Sequence, residues 1–325
     1  MRIAFLGKGG AGKTTTAASF VEYACKRHEF VLAVDADVNV HLAGSLRFHE
    51  KPREIGEEFD RIAEKLQGAR TDLKGRPMIG STPPSLKSSF IRPSASDQFI
   101  SEYALHRGNI ALLTVGPYAK SDVGGNCYHS KLGSYTLMLH HLLDTDSDIV
   151  IADTTAGTDN VATSLNLAYD LNVFVVEPTK KSVSVYLDFI KLVPHLEDRV
   201  YVLANKVDGD ADIDFIKKHV SAERLIGSVP FSQNMKRFEQ GDEDAIKDFH
   251  KEQDAVFDKV YELLCSKKRD WNQYLQLLNQ AHEKVSVDWY NDYYQSNIGT
   301  DYDPDFSYEK VIAAHAGRQP VGASA

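Results

Sequence analysis

The stretch Gly7-Lys8-Gly9-Gly10-Ala11-Gly12-Lys13-Thr14-Thr15 decides the reading of this 325-residue chain. Gly7, Gly12, Lys13 and Thr14 meet the phosphate-loop spacing G-x-x-x-x-G-K-[ST]. Before it, Arg2-Ile3-Ala4-Phe5-Leu6 is a short apolar run fit for a buried strand; after it, residues 14–27 set Phe20, Val21 and Tyr23 among alanines, as a packed helix does. Gly9, Gly10 and Gly12 permit backbone angles barred to other residues, so successive N–H groups, that of Ala11 included, can turn inward around phosphate oxygens. The helix adds its dipole. Lys13 is expected to meet the β- and γ-phosphates, the Thr14 hydroxyl to bind Mg2+, and Thr15 to face the α-phosphate.

Outward from the loop, the chain alternates strand-like and helix-like segments. Apolar strand candidates are 2–6, 30–35, 110–115, 148–153, 171–176, 199–204 and 224–229. Such alternation predicts an α/β fold: a doubly wound, mostly parallel sheet of about seven strands with helices on both faces. Ligands gather at the carboxyl ends of strands in that architecture. The expected boundaries are a nucleotide-binding domain over 1–265 and a C-terminal helical and irregular extension over 266–325.

With Lys8 beside Lys13, the loop resembles the deviant phosphate loop of the MinD/ParA ATPases. The resemblance covers roughly residues 1–265 and implies a dimeric, ATP-hydrolysing switch, in which Lys8 crosses the dimer interface and stabilises charge on the partner's nucleotide. Val34-Asp35-Ala36-Asp37-Val38-Asn39 is similar to the family's first switch element, with Val38 in the place of the usual proline. Asp37 falls on the position that orients the attacking water. Asp148-Ile149-Val150-Ile151-Ala152-Asp153 and Gly157 resemble the second switch, which implies that Asp153 holds a Mg2+-bound water and that Gly157 lets the backbone move when the γ-phosphate leaves. Asn205, Lys206 and Pro230 fall where relatives build the purine pocket. Asn205-Lys206-Val207-Asp208 also spells the guanine-reading tetrad Asn-Lys-x-Asp, so the motif alone leaves GTP open beside ATP.

Gly124-Gly125-Asn126-Cys127-Tyr128-His129 resembles the glycine-rich segment of CooC-type accessory ATPases, which serve nickel insertion and join two subunits through a Cys-x-Cys pair. Here the pair is Cys127 and His129. Two copies of a thiolate and an imidazole make a four-ligand set suited to Zn2+ or Ni2+ between subunits. The resemblance thus implies a client metalloenzyme. Two other function classes stay open: a cargo- or DNA-positioning ATPase, and a nucleotide-gated scaffold that hydrolyses slowly.

Composition bounds the partners. At 42% hydrophobic and 26% charged residues the chain is globular, and a net charge of −9 argues against a nucleic-acid-coating surface. Three scattered cysteines, Cys25, Cys127 and Cys265, do not make a disulfide framework and fit a reducing cytoplasm. No bilayer-spanning stretch, signal peptide or basic amphipathic anchor is expected. Residues 71–96, rich in proline and glycine, read as a long irregular loop, either a partner contact or a solvated insertion. His140 and His141 are expected in the core or at an interface. The aromatics from Trp289 to Phe306 suggest docking onto the body or onto a partner.

Overall fold

The computed structural model describes residues 1–73, 75–118, 128–157, 161 and 164–316. Its centre is one sheet of eight strands: β1 (Arg2–Gly7), β2 (Val31–Ala36), β3 (Leu105–Arg107), β4 (Ile110–Thr114), β5 (Ile149–Thr154), β6 (Leu171–Val176), β7 (Val200–Val207) and β8 (Leu225–Pro230). The order is β3-β4-β2-β5-β1-β6-β7-β8, parallel throughout except for β3 against β4. Seven strands coincide with the seven apolar runs. The eighth, β3, is an addition, tied to β4 by a two-residue turn at Gly108-Asn109, with Gly108 at φ +59°. Left-handed backbone there suits glycine and closes a tight hairpin.

Alternation along the strands feeds two cores. Ile3 and Phe5 of β1 face one side, where Phe20 of the helix Lys13–Ala24 and Phe257 of the helix Ala245–Ser266 pack edge-on at 5.3 Å. Ala4 and Leu6 face the other, beneath the helices Phe59–Gln67, Tyr128–His140 and Lys180–Leu192. Strands buried on both faces are what an almost all-parallel sheet requires.

The extension belongs to that second layer. Tyr274 and Leu278 of the helix Trp271–Val285, with Phe306, Tyr308 and Val311, join the same core. Trp289, Tyr293 and Tyr302 remain exposed, so the aromatic run divides between the body and solvent. Residues 71–96 carry no helix or strand among those described, but they are not a solvated insertion. The extension lies across them: Arg76 holds Asp301 through both carboxylate oxygens at 2.6 and 2.7 Å, the Ser85 hydroxyl donates to Asp303, and the Ser81 hydroxyl meets His282 Nδ1 at 3.0 Å.

That seam is built to run with neutral imidazoles. His282 Nε2 donates to the Ile298 carbonyl at 2.9 Å, so Nδ1 accepts from Ser81. Burial, with Arg70 and Arg76 nearby, pushes His282 down to about 4; burial likewise takes His141 to about 4. An imidazole depressed in the folded state stays neutral while the unfolded chain takes up a proton below its ordinary value of about 6.5. Its stabilisation is therefore complete above that value and is lost as pH falls toward 4. Asp35 and Asp153, raised in the folded state, act in the opposite sense over part of this range. A difference measurement removes them. Between pH 7 and 4.5 the unfolding free energy of wild type should fall by on the order of 2–3 kcal/mol more than that of His282→Gln, read from urea unfolding of both proteins. Parallel pH profiles would contradict this.

Candidate nucleotide site

β1 ends in the phosphate loop, and the loop's shape is set by glycine. Gly12 sits at φ +92°, and a Cβ there would lie 2.3 Å from Asn205 Nδ2. A larger residue would be strained in this backbone and would push the Asn205 amide off Ala11. The Ala11 N–H closes onto the Lys8 carbonyl at 3.1 Å, and the helix starting at Lys13 has no side-chain cap. Its first N–H groups are thus left for a ligand, at the positive end of the helix dipole.

Strand ends bring three carboxylates to this loop. Asp35 and Asp153 are opposite one another across β2 and β5, and both are fully buried; Asp37 is 4% exposed. Asp35 shapes the segment after β2: its carboxylate accepts the Leu42 N–H at 2.9 Å and the Asp37 N–H at 3.2 Å. Asp37 in turn accepts from the backbone and side chain of Asn39 and forms an ion pair with Lys13 Nζ at 3.4 Å. Asp153 differs. Among the described residues neither of its oxygens has a hydrogen-bond partner. Burial, and then the charge of Asp35, push it up to about 8; Lys13 and the neighbouring Thr14 hydroxyl pull the other way without a well-formed bond. Burial also pushes Asp35 up to about 7, against its two backbone donors. Carboxylates that lie this close and dry repel one another unless a cation joins them.

The remaining expected residues brace the loop. Asn205 Nδ2 donates to the Ala11 carbonyl at 2.8 Å; Lys206 Nζ donates to the Gly10 carbonyl at 2.6 Å and pairs with Glu177 at 2.8 Å. Lys206 holds a left-handed backbone, φ +58°. The Gly157 N–H donates to the Gly7 carbonyl at 3.1 Å, joining the segment after β5 to the loop. Pro230 ends β8 exposed, and the next residue, Phe231, is tied by its N–H to the Val207 carbonyl. Among the described residues Lys8 Nζ reaches only its neighbour's carbonyl, that of Gly9, at 3.0 Å. Cys127 and the side chain of His129 lie outside the described residues, and among the described residues no three His, Cys, Asp or Glu side chains form a metal cluster. Glu177-Pro178-Thr179, right after β6, also resembles the CooC-type segment, but the pairing of Glu177 with Lys206 and the double duty of Asp35 escape the sequence reading.

The sequence pattern of the CobQ/CobB/MinD/ParA nucleotide binding domain matches residues 3–244. The chain belongs to that family. It is similar to an uncharacterized ATP-binding protein of Methanocaldococcus jannaschii, 29% identical over 239 residues, which span 72% of this chain and 87% of that protein. It is also similar to the carbon monoxide dehydrogenase accessory protein CooC of Rhodospirillum rubrum, 25% identical over 241 residues, 74% of this chain and 87% of CooC. A ParA family ATPase from Chlorobium tepidum shares the fold at a TM-score of 0.52 and 16% identity, with 86% of this chain and 96% of that one covered. This family member is therefore a MinD/ParA-class nucleotide-binding protein near CooC. No described helix is long and apolar enough to cross a membrane.

Proposed function

We propose that this protein is a Mg2+-dependent, ATP-hydrolysing dimeric switch that assists the assembly of a metal centre in a client enzyme. The observation that carries the nucleotide reading is the Asp153 carboxyl, buried beside Thr14 and Lys13 and without a hydrogen-bond partner among the described residues. A buried carboxyl that has no donor among the described residues, and that burial keeps protonated until a counter-charge arrives, fits a cation. Asp153, through a water, and Thr14 are the residues that would hold Mg2+, which when bound neutralises charge on the β- and γ-phosphate oxygens.

The chain's own residues supply the rest. The uncapped helix end and the loop's N–H groups bind the phosphates. Phosphate entering the loop draws Lys13 from its pairing with Asp37 and frees that carboxylate to align a water. In phosphoryl transfer such positioning, with charge stabilisation, is most of the catalysis. Asn205 commits one of its two amide N–H groups to Ala11, which leaves the other and Oδ1 to meet a purine edge. The ATP-binding relative favours ATP over GTP. The CooC relative supports the metal role, together with the spacing of Cys127 and His129; the metal, Zn2+ or Ni2+, is the cargo.

Asp37→Ala should hold Mg2+-ATP and lose roughly 100-fold in phosphate release, because alignment is lost while the phosphate contacts remain. Light scattering should then find a dimer that persists with ATP. Elemental analysis of that dimer should find about one Zn2+ or Ni2+ per two chains, as a Cys2His2 set demands, and none after Cys127→Ser. Normal turnover by Asp37→Ala would remove the water-aligning role. A metal-free dimer would remove the metal role and leave the ATPase reading intact.

A further inference from the structure

Tyr128 opens the helix after β4 and so emerges at the carboxyl edge of the sheet, where the neighbouring β2 and β5 bring Asp35 and Asp153. Its side chain is 6% exposed, yet its hydroxyl has no hydrogen-bond partner among the described residues. The backbone N–H of Tyr128 is held by the Tyr118 hydroxyl at 3.1 Å, and the two rings pack edge-on at 5.6 Å. The ring is fixed in place. Burial, and then the carboxyl groups of Asp35, Asp37 and Asp153, keep the phenol protonated. It is thus a neutral O–H donor, buried beside the phosphate loop's carboxylates and bonded to none of them.

Native proteins rarely leave such a donor unsatisfied without a reason. Water-sized or charged acceptors can fill the gap, and the acceptor that the nucleotide reading brings to this place is the terminal phosphate. We propose that the Tyr128 hydroxyl donates a hydrogen bond to a γ-phosphoryl oxygen of bound ATP and makes the helix it begins responsive to that phosphate. ADP offers no such oxygen. At the far end of the same helix, the His140 carbonyl accepts from the Tyr308 hydroxyl of the extension at 2.6 Å, and His140 Nε2 meets Ser164, just beyond the second switch, at 3.3 Å. A contact made only with ATP can bias this helix between two arrangements, and by no more than its differential affinity. The inference rests on the nucleotide-site reading and adds to it a residue that reads ATP against ADP.

Tyr128→Phe keeps the ring and removes the oxygen. Calorimetric titration with Mg2+ and either ADP or the imido-bridged ATP analogue should show the variant binding the analogue 10- to 50-fold more weakly, as for a lost hydrogen bond to a charged acceptor, with ADP affinity within about twofold of wild type. An unchanged ratio of the two affinities would overturn the proposal. Equal weakening for both nucleotides would also overturn it, since that is the mark of lost packing. Lys13→Ala is the control for the site itself. If it loses both nucleotides while Tyr128→Phe behaves as wild type, the nucleotide site stands and only the role of Tyr128 falls; if wild type binds neither, both readings fall.

Discussion

Lys8→Ala is expected to bind ATP nearly as wild type does and to lose turnover by roughly 1,000-fold, the lower end of what a charge supplied in trans contributes to phosphoryl transfer. The two loop lysines have different surroundings. Lys13 is 6% exposed and already paired with Asp37, inside the loop's own arc. Lys8 is half-exposed, and among the described residues no carboxylate pairs with it; its ammonium meets only the adjacent Gly9 carbonyl. A cation so placed has little to do within one chain. Lys13→Ala should instead lose nucleotide affinity itself. Mixing the two variants separates the roles, because a Lys13→Ala chain can lend its intact Lys8 to the nucleotide held by a Lys8→Ala chain. Phosphate release from the mixture should exceed that of either variant alone. Wild-type turnover by Lys8→Ala, or no recovery on mixing, would leave Lys8 a solvated loop residue.

What the sequence made legible is what local pattern encodes. The loop was readable because spacing and residue type alone dictate its backbone, down to the left-handed Gly12 at φ +92°. Seven strands were readable because burial on both faces forces continuous apolar runs. β3 was not, since Leu105-His106-Arg107 carries no alternation, and its sole signal was the Gly108-Asn109 turn. Asp35 read as one member of an Asp-x-Asp pair; its grip on Leu42 depends on how residues 38–41 fold back. The use of Asn205 and Lys206 to brace Ala11 and Gly10 joins positions more than 190 residues apart. The same holds for residues 71–96, whose composition says loop and whose burial is decided by a segment that begins some two hundred residues later.

The extension shows that limit most plainly, and a single arginine tests it. Arg269 stands just before the helix Trp271–Val285 and reaches back into the sheet's floor: it holds Asp170 through two bonds of 2.8 and 2.6 Å and Asp144 through a third of 2.9 Å. Asp170 also accepts the Arg2 N–H, and Arg2, fully buried, shares Asp144 at 2.6 Å. Burial alone would raise the Asp144 carboxyl, but Arg2 and Arg269 hold it well below the usual range. The network is balanced only when all of it is present. Arg269→Ala leaves Asp170 buried without a cation, a change that costs about 3–5 kcal/mol where a buried pair loses one member. In a chain of this size that should lower the thermal midpoint by roughly 4–7 °C. Arg269→Lys should recover only part of it, because a single ammonium cannot reproduce the two-pronged grip on Asp170. Removing residues 266–325 should cost more than either substitution, since it also uncovers the core that Tyr274, Leu278 and Tyr308 close. Scanning calorimetry of the three proteins decides between a fused layer and a detachable module. A midpoint for Arg269→Ala within about 1 °C of wild type, or a folded, nucleotide-binding 1–265 chain, would mean that the extension is carried by the ATPase body without supporting it.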